Sequence, residues 1–326
     1  MTKKEFRLHF IPVSWTKKNP LNRLHDPVLE REVQAIYHSQ KQKKCVVDAT
    51  LGLGWHASIF VSELGKWDRF LGFDRDQENL ARAEVYLRSL NPECELSFIH
   101  SSFTHLSEEL EGQGIDSIDF ILYDLGVSSV HYDFADRGFS FRFDGPLDMR
   151  FDRTHGRTAT ELIMQTDARE LARIFSFYGE EKKPWFIAQA IEKIRKIESI
   201  DTTFKLLKII EDSSYDPKSP TRVFQAIRIA LNEEFEHINS SLHQALELLN
   251  IGWKILVITF HSLEDRIVKQ LFAPYLEDQI DEVTGQIRIP ARFRKYAKKP
   301  IVPTAVEIEE NPRSRSAKMR VIERVY

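Results

Sequence analysis

Cys45-Val46-Val47-Asp48-Ala49-Thr50-Leu51-Gly52-Leu53-Gly54-Trp55-His56-Ala57-Ser58-Ile59-Phe60-Val61 reads as an apolar, β-branched strand, a glycine turn and the opening of a helix. A second apolar run, Phe70-Leu71-Gly72-Phe73, stops at Asp74, twenty positions after Gly54. That is the spacing at which a carboxylate grips the two hydroxyls of an adenosine ribose. The stretch predicts a β-α-β unit that holds an adenosine-containing cofactor, with Gly52 and Gly54 in the turn and Asp74 on the ribose.

Pyrophosphate binding calls for G-x-G-x-x-G, and the third glycine position here is Ala57, a replacement the fingerprint tolerates. Asp48, at the end of the first strand, is less expected beside a dianion, because like charges repel. A carboxylate there suits a cation such as the sulfonium and ammonium of S-adenosylmethionine. On these residues alone an ordinary β-α-β unit with a tight turn stays open.

Outward from this unit the chain continues to alternate. A helix is expected over 77–90, a strand near Leu96-Ser97-Phe98-Ile99-His100, then another helix. The buried strand Ile118-Asp119-Phe120-Ile121-Leu122-Tyr123-Asp124 ends in Leu125-Gly126-Val127-Ser128-Ser129. Alternation with short connections predicts an α/β fold, a parallel sheet with helices on both faces. Ligands of such sheets sit at the carboxyl ends of the strands, where Thr50, Asp74 and Asp124 fall. Upstream, residues 1–24 read as an irregular arm. A helix then starts at His25-Asp26-Pro27-Val28, with Asp26 as N-cap and Pro27 at the first helical position.

The pattern breaks at residues 133–157, rich in Arg, Asp, Gly and Phe, and helices without strands follow. A loop that long inside a domain needs a functional reason. Residues 133–220 are read as an all-helical insertion for substrate recognition, with the core formed by 25–132 and 221–326. The core resumes with a helix over 222–249 and the strand Lys254-Ile255-Leu256-Val257-Ile258-Thr259-Phe260. On that helix Phe224, Ile227, Leu231 and Phe235 form the core stripe. Arg222, Gln225, Arg228 and Asn232 share an adjoining face, either solvated or a binding face for base edges and phosphates. In Phe260-His261-Ser262-Leu263-Glu264-Asp265-Arg266, Ser262 is the expected N-cap with two acids in the first turn. His261 is an open site candidate.

The chain has 326 residues, 29% charged and 42% apolar, as in soluble globular proteins. Its two cysteines build neither a disulfide framework nor a metal-ligand spacing, so no metal is expected. The N-terminus lacks an apolar core of signal-peptide length, and no run approaches a membrane span. A cytoplasmic protein is expected. Net charge is −3, yet residues 287–326 hold eleven Lys and Arg against four Glu, a local +7. That tail is either a phosphate-docking surface or a solvated charged segment. No Ser-His-Asp order, H-E-x-x-H or P-loop supports a hydrolase or kinase.

Taken together these segments resemble the MraW/RsmH family, bacterial S-adenosylmethionine-dependent methyltransferases that act on N4 of a cytidine in 16S ribosomal RNA. The resemblance runs from about His25 to the C-terminus. It rests on His25-Asp26-Pro27-Val28-Leu29, Asp48 through Gly54, and Asp124 through Ser129. Arg137-Gly138-Phe139-Ser140-Phe141, Asp144 through Arg150, Tyr178-Gly179-Glu180-Glu181 and Thr221 through Ile229 carry it too, as do Phe260 through Arg266 and Asn311-Pro312-Arg313-Ser314-Arg315-Ser316-Ala317-Lys318. It implies a class I, Rossmann-like methyltransferase sheet with an inserted helical domain, S-adenosyl-L-methionine as cofactor, and 16S rRNA in the small ribosomal subunit as partner. By position, the cofactor contacts would be Gly54, Trp55, His56, Asp74, Phe103, Asp124 and His131, with Phe103 near the adenine.

The chain departs from the family at Gly54-Trp55-His56-Ala57, where G-G-H-S is usual. It departs again at Ser128-Ser129-Val130-His131-Tyr132-Asp133, where S-S-P-Q-L-D is usual. Trp55 puts an indole where the backbone approaches the cofactor. Asp124 is the candidate hydrogen-bond and proton acceptor for the cytosine amine, with Ser128 or Ser129 in support; a purely cofactor-side role for Asp124 stays open. Phe139, Phe141 and Arg142, together with Arg137, would stack on a flipped base or hold flanking phosphates. Two other readings remain: a ribosome-binding assembly factor with a weakened cofactor site, and an NAD-dependent oxidoreductase resting only on the Asp74 spacing. The sequence leaves oligomeric state open, a homodimer included.

Overall fold

The short central strands are almost continuously apolar, and successive side chains point to opposite faces, so each strand feeds two hydrophobic layers, one on either face of a single sheet. The computed structural model describes residues 27–40, 42–281 and 284–326, without the side chains of Ser129 and Val130. The expected arm over 1–24 and the Asp26 cap lie outside the described residues. In chain order the elements are α1 (Glu30–His38), β1 (Cys45–Asp48), α2 (Trp55–Val61), β2 (Arg69–Asp74), α3 (Gln77–Ser89), β3 (Glu95–His100), α4 (Leu106–Gly112) and β4 (Ile118–Asp124). Seven helices follow: α5 (Ser129–Asp133), α6 (Ala159–Gln165), α7 (Ala168–Gly179), α8 (Pro184–Ile194), α9 (Thr203–Ser213), α10 (Ser219–Asn232) and α11 (Glu234–Leu248). The chain closes with β5 (Leu249–Thr259), α12 (Ser262–Phe272), β6 (Gln279–Ile280), β7 (Ile287–Ile289), β8 (Phe293–Lys295), α13 (Ala305–Glu310) and β9 (Lys318–Arg324).

The sheet order is β3-β2-β1-β4-β5-β9-β8. The first five strands are parallel, and β9 and β8 add antiparallel. The chain runs outward from β1 to β3, then returns to lay β4 on the other side of β1. The switch point therefore falls between β1 and β4, where a ligand crevice opens. Val47, Leu71, Tyr123 and Val257 face one core. Val46, Phe70, Phe120 and Leu256 face the other. The first core runs on without a break into Leu162, Phe175, Ile187 and Ile227 of the helices after β4.

Three expectations change here. The helix expected over 222–249 is two helices, because Glu233 takes the left-handed conformation (φ 52°) and ends α10. That break turns Phe235 onto α11, so the fourth residue of the proposed stripe belongs to another helix. The first helix begins at Glu30 rather than at Pro27, after Leu29 in the left-handed region. The basic C-terminal stretch is partly core: Met319, Val321 and Ile322 are buried in β9. Its flanking Lys and Arg mask a two-residue alternation by carrying their charged heads outward.

α7 meets α10 at Gly179, where an ideal Cβ would lie 2.5 Å from the Arg222 carbonyl oxygen and 3.1 Å from the Ala226 Cβ. Backbone cannot yield as a flexible side chain does. Gly179→Ala is expected to cost about 1–3 kcal/mol by overpacking. The urea midpoint should drop at constant slope; an unchanged midpoint would mean that the helices part freely.

Candidate active site

Three strand ends, Asp48 buried and Asp74 and Asp124 half-buried, bring their carboxylates to one cleft. Asp48 closes β1, Asp74 closes β2 and Asp124 closes β4, and all three line the same space with Thr50, Phe103, Ser128 and His131. The Thr50 hydroxyl receives the Asp124 amide at 2.6 Å, tying the β1 turn to β4. Asp74 is held by two amides: Gly52 N–H donates to Oδ2 at 2.8 Å and Asp76 N–H to Oδ1 at 2.7 Å.

Burial dominates the electrostatics. Loss of water pushes Asp48 up to about 7, although Thr50 hydrogen-bonds to it. The same cause carries Asp74 to about 7 against the Asp76 amide. Asp124 is raised well above the usual carboxylate range by burial and then by the charges of Asp48 and Glu264. Its Oδ2 lies 3.7 Å from His56 Nε2, while Oδ1 accepts no hydrogen bond from the described residues. Three acids that resist ionising together form a site for a cation, whose charge would restore their ionised forms.

The glycine turn is built for this task rather than for phosphate. Three of its amides are satisfied internally: Leu51 N–H donates to the Phe73 carbonyl, Gly52 to Asp74, and Gly54 to the Leu51 carbonyl at 2.8 Å. A pyrophosphate would meet the carboxylates of Asp48, Asp74 and Asp124 beside this turn, which weighs against the nicotinamide dinucleotide reading. Gly54, at φ 82°, precedes the first turn of α2. Trp55 turns its indole to α3, edge-on to Tyr86 at 4.8 Å, so it borders the cleft without filling it. Phe103 stands edge-on to Tyr123 at 5.7 Å and lines the cleft beyond Asp74. His237 lies near it, kept neutral at a pKa of about 4 by burial and by Arg75.

One residue that sequence reading passed over organises the wall. Asp76 caps α3 through the amides of Glu78 and Asn79. It also accepts from His131 Nε2 at 2.9 Å and pairs with Arg137. Burial alone would raise this carboxyl, but the His131 hydrogen bond and the Arg137 charge hold it well below the usual range. Burial keeps His131 neutral despite that bond. With Nε2 donating to an ionised Asp76, Nδ1 is left to accept from Ser128 Oγ, 3.3 Å away. An acid two residues past Asp74, just before a helix, was the available signal.

Several proposed substrate contacts are corrected. Arg137 is buried, donating to the carbonyls of Arg150 and Phe151 as well as pairing with Asp76. Phe139 is buried and stacked on Phe151 at 5.4 Å and 16°. Neither is free to meet a base. Arg228 is buried against Glu234, and Arg222 is held by Glu181 and Asp216. The polar face of α10 is therefore engaged within the protein, Arg222 and Arg228 in ion pairs and Gln225 and Asn232 in hydrogen bonds to the Tyr178 and Met149 carbonyls. His261, not Ser262, caps α12: it accepts from the Glu264 amide and lies 3.0 Å from the Glu264 carboxylate. Phe141 is half-buried against Phe224, whereas Arg142 is exposed. The Ser129 side chain lies outside the described residues.

A family model described as the MraW methylase family matches residues 22–325. Over 289 residues the chain is 41% identical to Ribosomal RNA small subunit methyltransferase H of Lactiplantibacillus plantarum, covering 86% of this chain and 90% of that one. It is also 41% identical over 289 residues to the protein of that name in Streptococcus mutans, covering 86% and 91%.

Proposed function

The chain belongs to the MraW methylase family, and from that premise we propose that it methylates small-subunit ribosomal RNA with S-adenosyl-L-methionine, at the exocyclic N4 of a decoding-centre cytidine in 16S rRNA. The observation that carries this reading is the convergence of Asp48, Asp74 and Asp124 on one cleft, with an Asp124 oxygen that accepts no hydrogen bond from the described residues. The α/β architecture, a mostly parallel Rossmann-like sheet of the class I methyltransferase type, puts these acids at the switch point.

The residues present fit the cofactor. Asp74 would take the ribose hydroxyls, Phe103 would lie against the adenine, and Asp48 and Asp124 would balance positive charge. Bound there, S-adenosylmethionine supplies an electrophilic methyl group on a sulfonium. The chain's own task is to make a poor nucleophile competent, because the cytosine amine shares its lone pair with the ring. Asp124 Oδ1 accepts one N4–H bond, which favours a pyramidal nitrogen, and then takes the proton released by transfer. Thr50 and the pairing of β4 hold the Asp124 backbone in place, so the carboxylate projects from a fixed point. In this reading the helices within 133–220 present the substrate, with Arg142 and Phe141 nearest to that role.

The deciding experiment is mass spectrometry of small-subunit RNA nucleosides from cells with and without the protein; identical N4-methylcytidine content would sink the reading. Calorimetry tests the cofactor side. Asp74→Ala removes charge-assisted hydrogen bonds to two hydroxyls and is expected to weaken S-adenosylmethionine binding by roughly 10- to 100-fold. A wild-type protein that holds small subunits but not the cofactor would instead be an assembly factor.

A further inference from the structure

Resting on the methyl-transfer reading, we propose that Arg313 grips a backbone phosphate of the target nucleotide at the mouth of the cleft. The string Asn311-Pro312-Arg313-Ser314-Arg315-Ser316-Ala317-Lys318 has no role in holding the cofactor as described above, yet Arg313 lines the same cleft. Carboxylates line the interior, so a nucleotide can send its base inward only if its phosphate stays at the rim beside a cation. Among the described residues Arg75 and Arg313 are the arginines lining this cleft. Arg75 is committed, donating to the Asn232 carbonyl at 2.8 Å and lying over the Phe151 ring.

Arg313 is presented rigidly and held loosely. It sits in the 3-10 turn Pro312–Ser316, where buried Ser314 donates its amide to the Asn311 carbonyl at 2.9 Å. The turn leads directly into β9, paired with β5 in the sheet. Just before it, Glu307 of α13 accepts the Leu29 amide at 2.7 Å. That bond docks the turn at 27–29, whose Pro27 and Val28 also line the cleft. Two strings from opposite ends of the chain thus build one rim. The guanidinium of Arg313 meets Asp133 at 2.7 Å with both side chains substantially exposed. Such a pair is weak and exchangeable, and a phosphate accepts the same two-pronged donor. Asp133 keeps the arginine poised until RNA arrives.

The test is equilibrium binding to purified small ribosomal subunits from cells lacking the protein, measured against KCl with S-adenosylhomocysteine present. Arg313→Ala should bind roughly tenfold more weakly. The slope of log affinity against log salt should shrink by about 0.7–0.9, one phosphate contact. Arg313→Lys should keep the slope and lose part of the affinity. The cofactor dissociation constant should stay within about twofold in both. Unchanged subunit affinity and slope would overturn the assignment. So would a loss confined to the cofactor, which would place Arg313 on the methionine carboxylate. A wild type that transfers no methyl group, while the Arg313→Ala slope still shrinks, would fault the enzymatic reading and leave the phosphate contact standing.

Discussion

Asp124→Asn is expected to lower methyl transfer to small-subunit RNA by about 10²- to 10⁴-fold at saturating cofactor, the usual worth of a positioned proton acceptor. The substitution keeps shape and the Thr50 bond to the backbone amide. It removes the negative charge and with it the capacity to take a proton; saturating cofactor offsets the lost charge balance. The pH profile separates this from a structural effect. Asp124 is raised by burial, so it gains its charge, and with it its function, as pH increases through its pKa in the complex. Wild-type turnover should climb along that limb and the asparagine variant should run flat. Near-normal turnover by the variant would remove Asp124 from the chemistry and leave it a cofactor contact.

Asp76→Ala should have the largest effect on stability, about 3–5 kcal/mol, because it strands the buried Arg137 guanidinium without its charge partner. The cap of α3 and the His131 bond go with it. The sign with pH follows from the depressed native pKa. In the unfolded chain an Asp titrates near 3.9. The contribution is complete above that value and is lost as pH falls through the lower native value. Denaturant melts at pH 7 should therefore separate wild type from variant widely, and the gap should narrow in strong acid. A gap that widens on acidification, or a loss under about 1 kcal/mol at pH 7, would mean that Arg137 finds other acceptors. Since Asp76 also orients His131 beside Ser128, activity should fall with it.

Asp48 and Asp74 titrate the opposite way. Their native pKa values of about 7 exceed the unfolded value, so they favour folding below pH 4 and lose that contribution as pH rises toward 7. A cation in the cleft counters that loss, which gives the cofactor a structural as well as a chemical part.

The β-α-β unit, the strand ends at Asp48, Asp74 and Asp124, and the family itself were legible in the chain, because each rests on short strings of neighbouring residues, read one by one along it. Short continuous apolar runs and a glycine turn are local properties that survive any tertiary arrangement. The break at Glu233 was not legible, since a helical period continues across it and only a left-handed residue divides α10 from α11. Nor was β9, whose buried Met319, Val321 and Ile322 are hidden among Lys and Arg.

Sequence alone determined what chemistry the cleft could hold: acids at strand ends and a turn that favours a cation. Which arginines and aromatics are already engaged within the protein was visible only in the tertiary structure. Arg137, Phe139, Arg222 and Arg228 carry the right chemistry for RNA, yet each is spent on a partner inside the protein. Such partners lie far along the chain: Asp76 and Arg137 are 61 positions apart, Leu29 and Glu307 278. A charged side chain looks the same in sequence whether it faces water or a buried acid. Only folding chooses, because desolvation makes a buried charge tolerable solely where an opposite one is waiting.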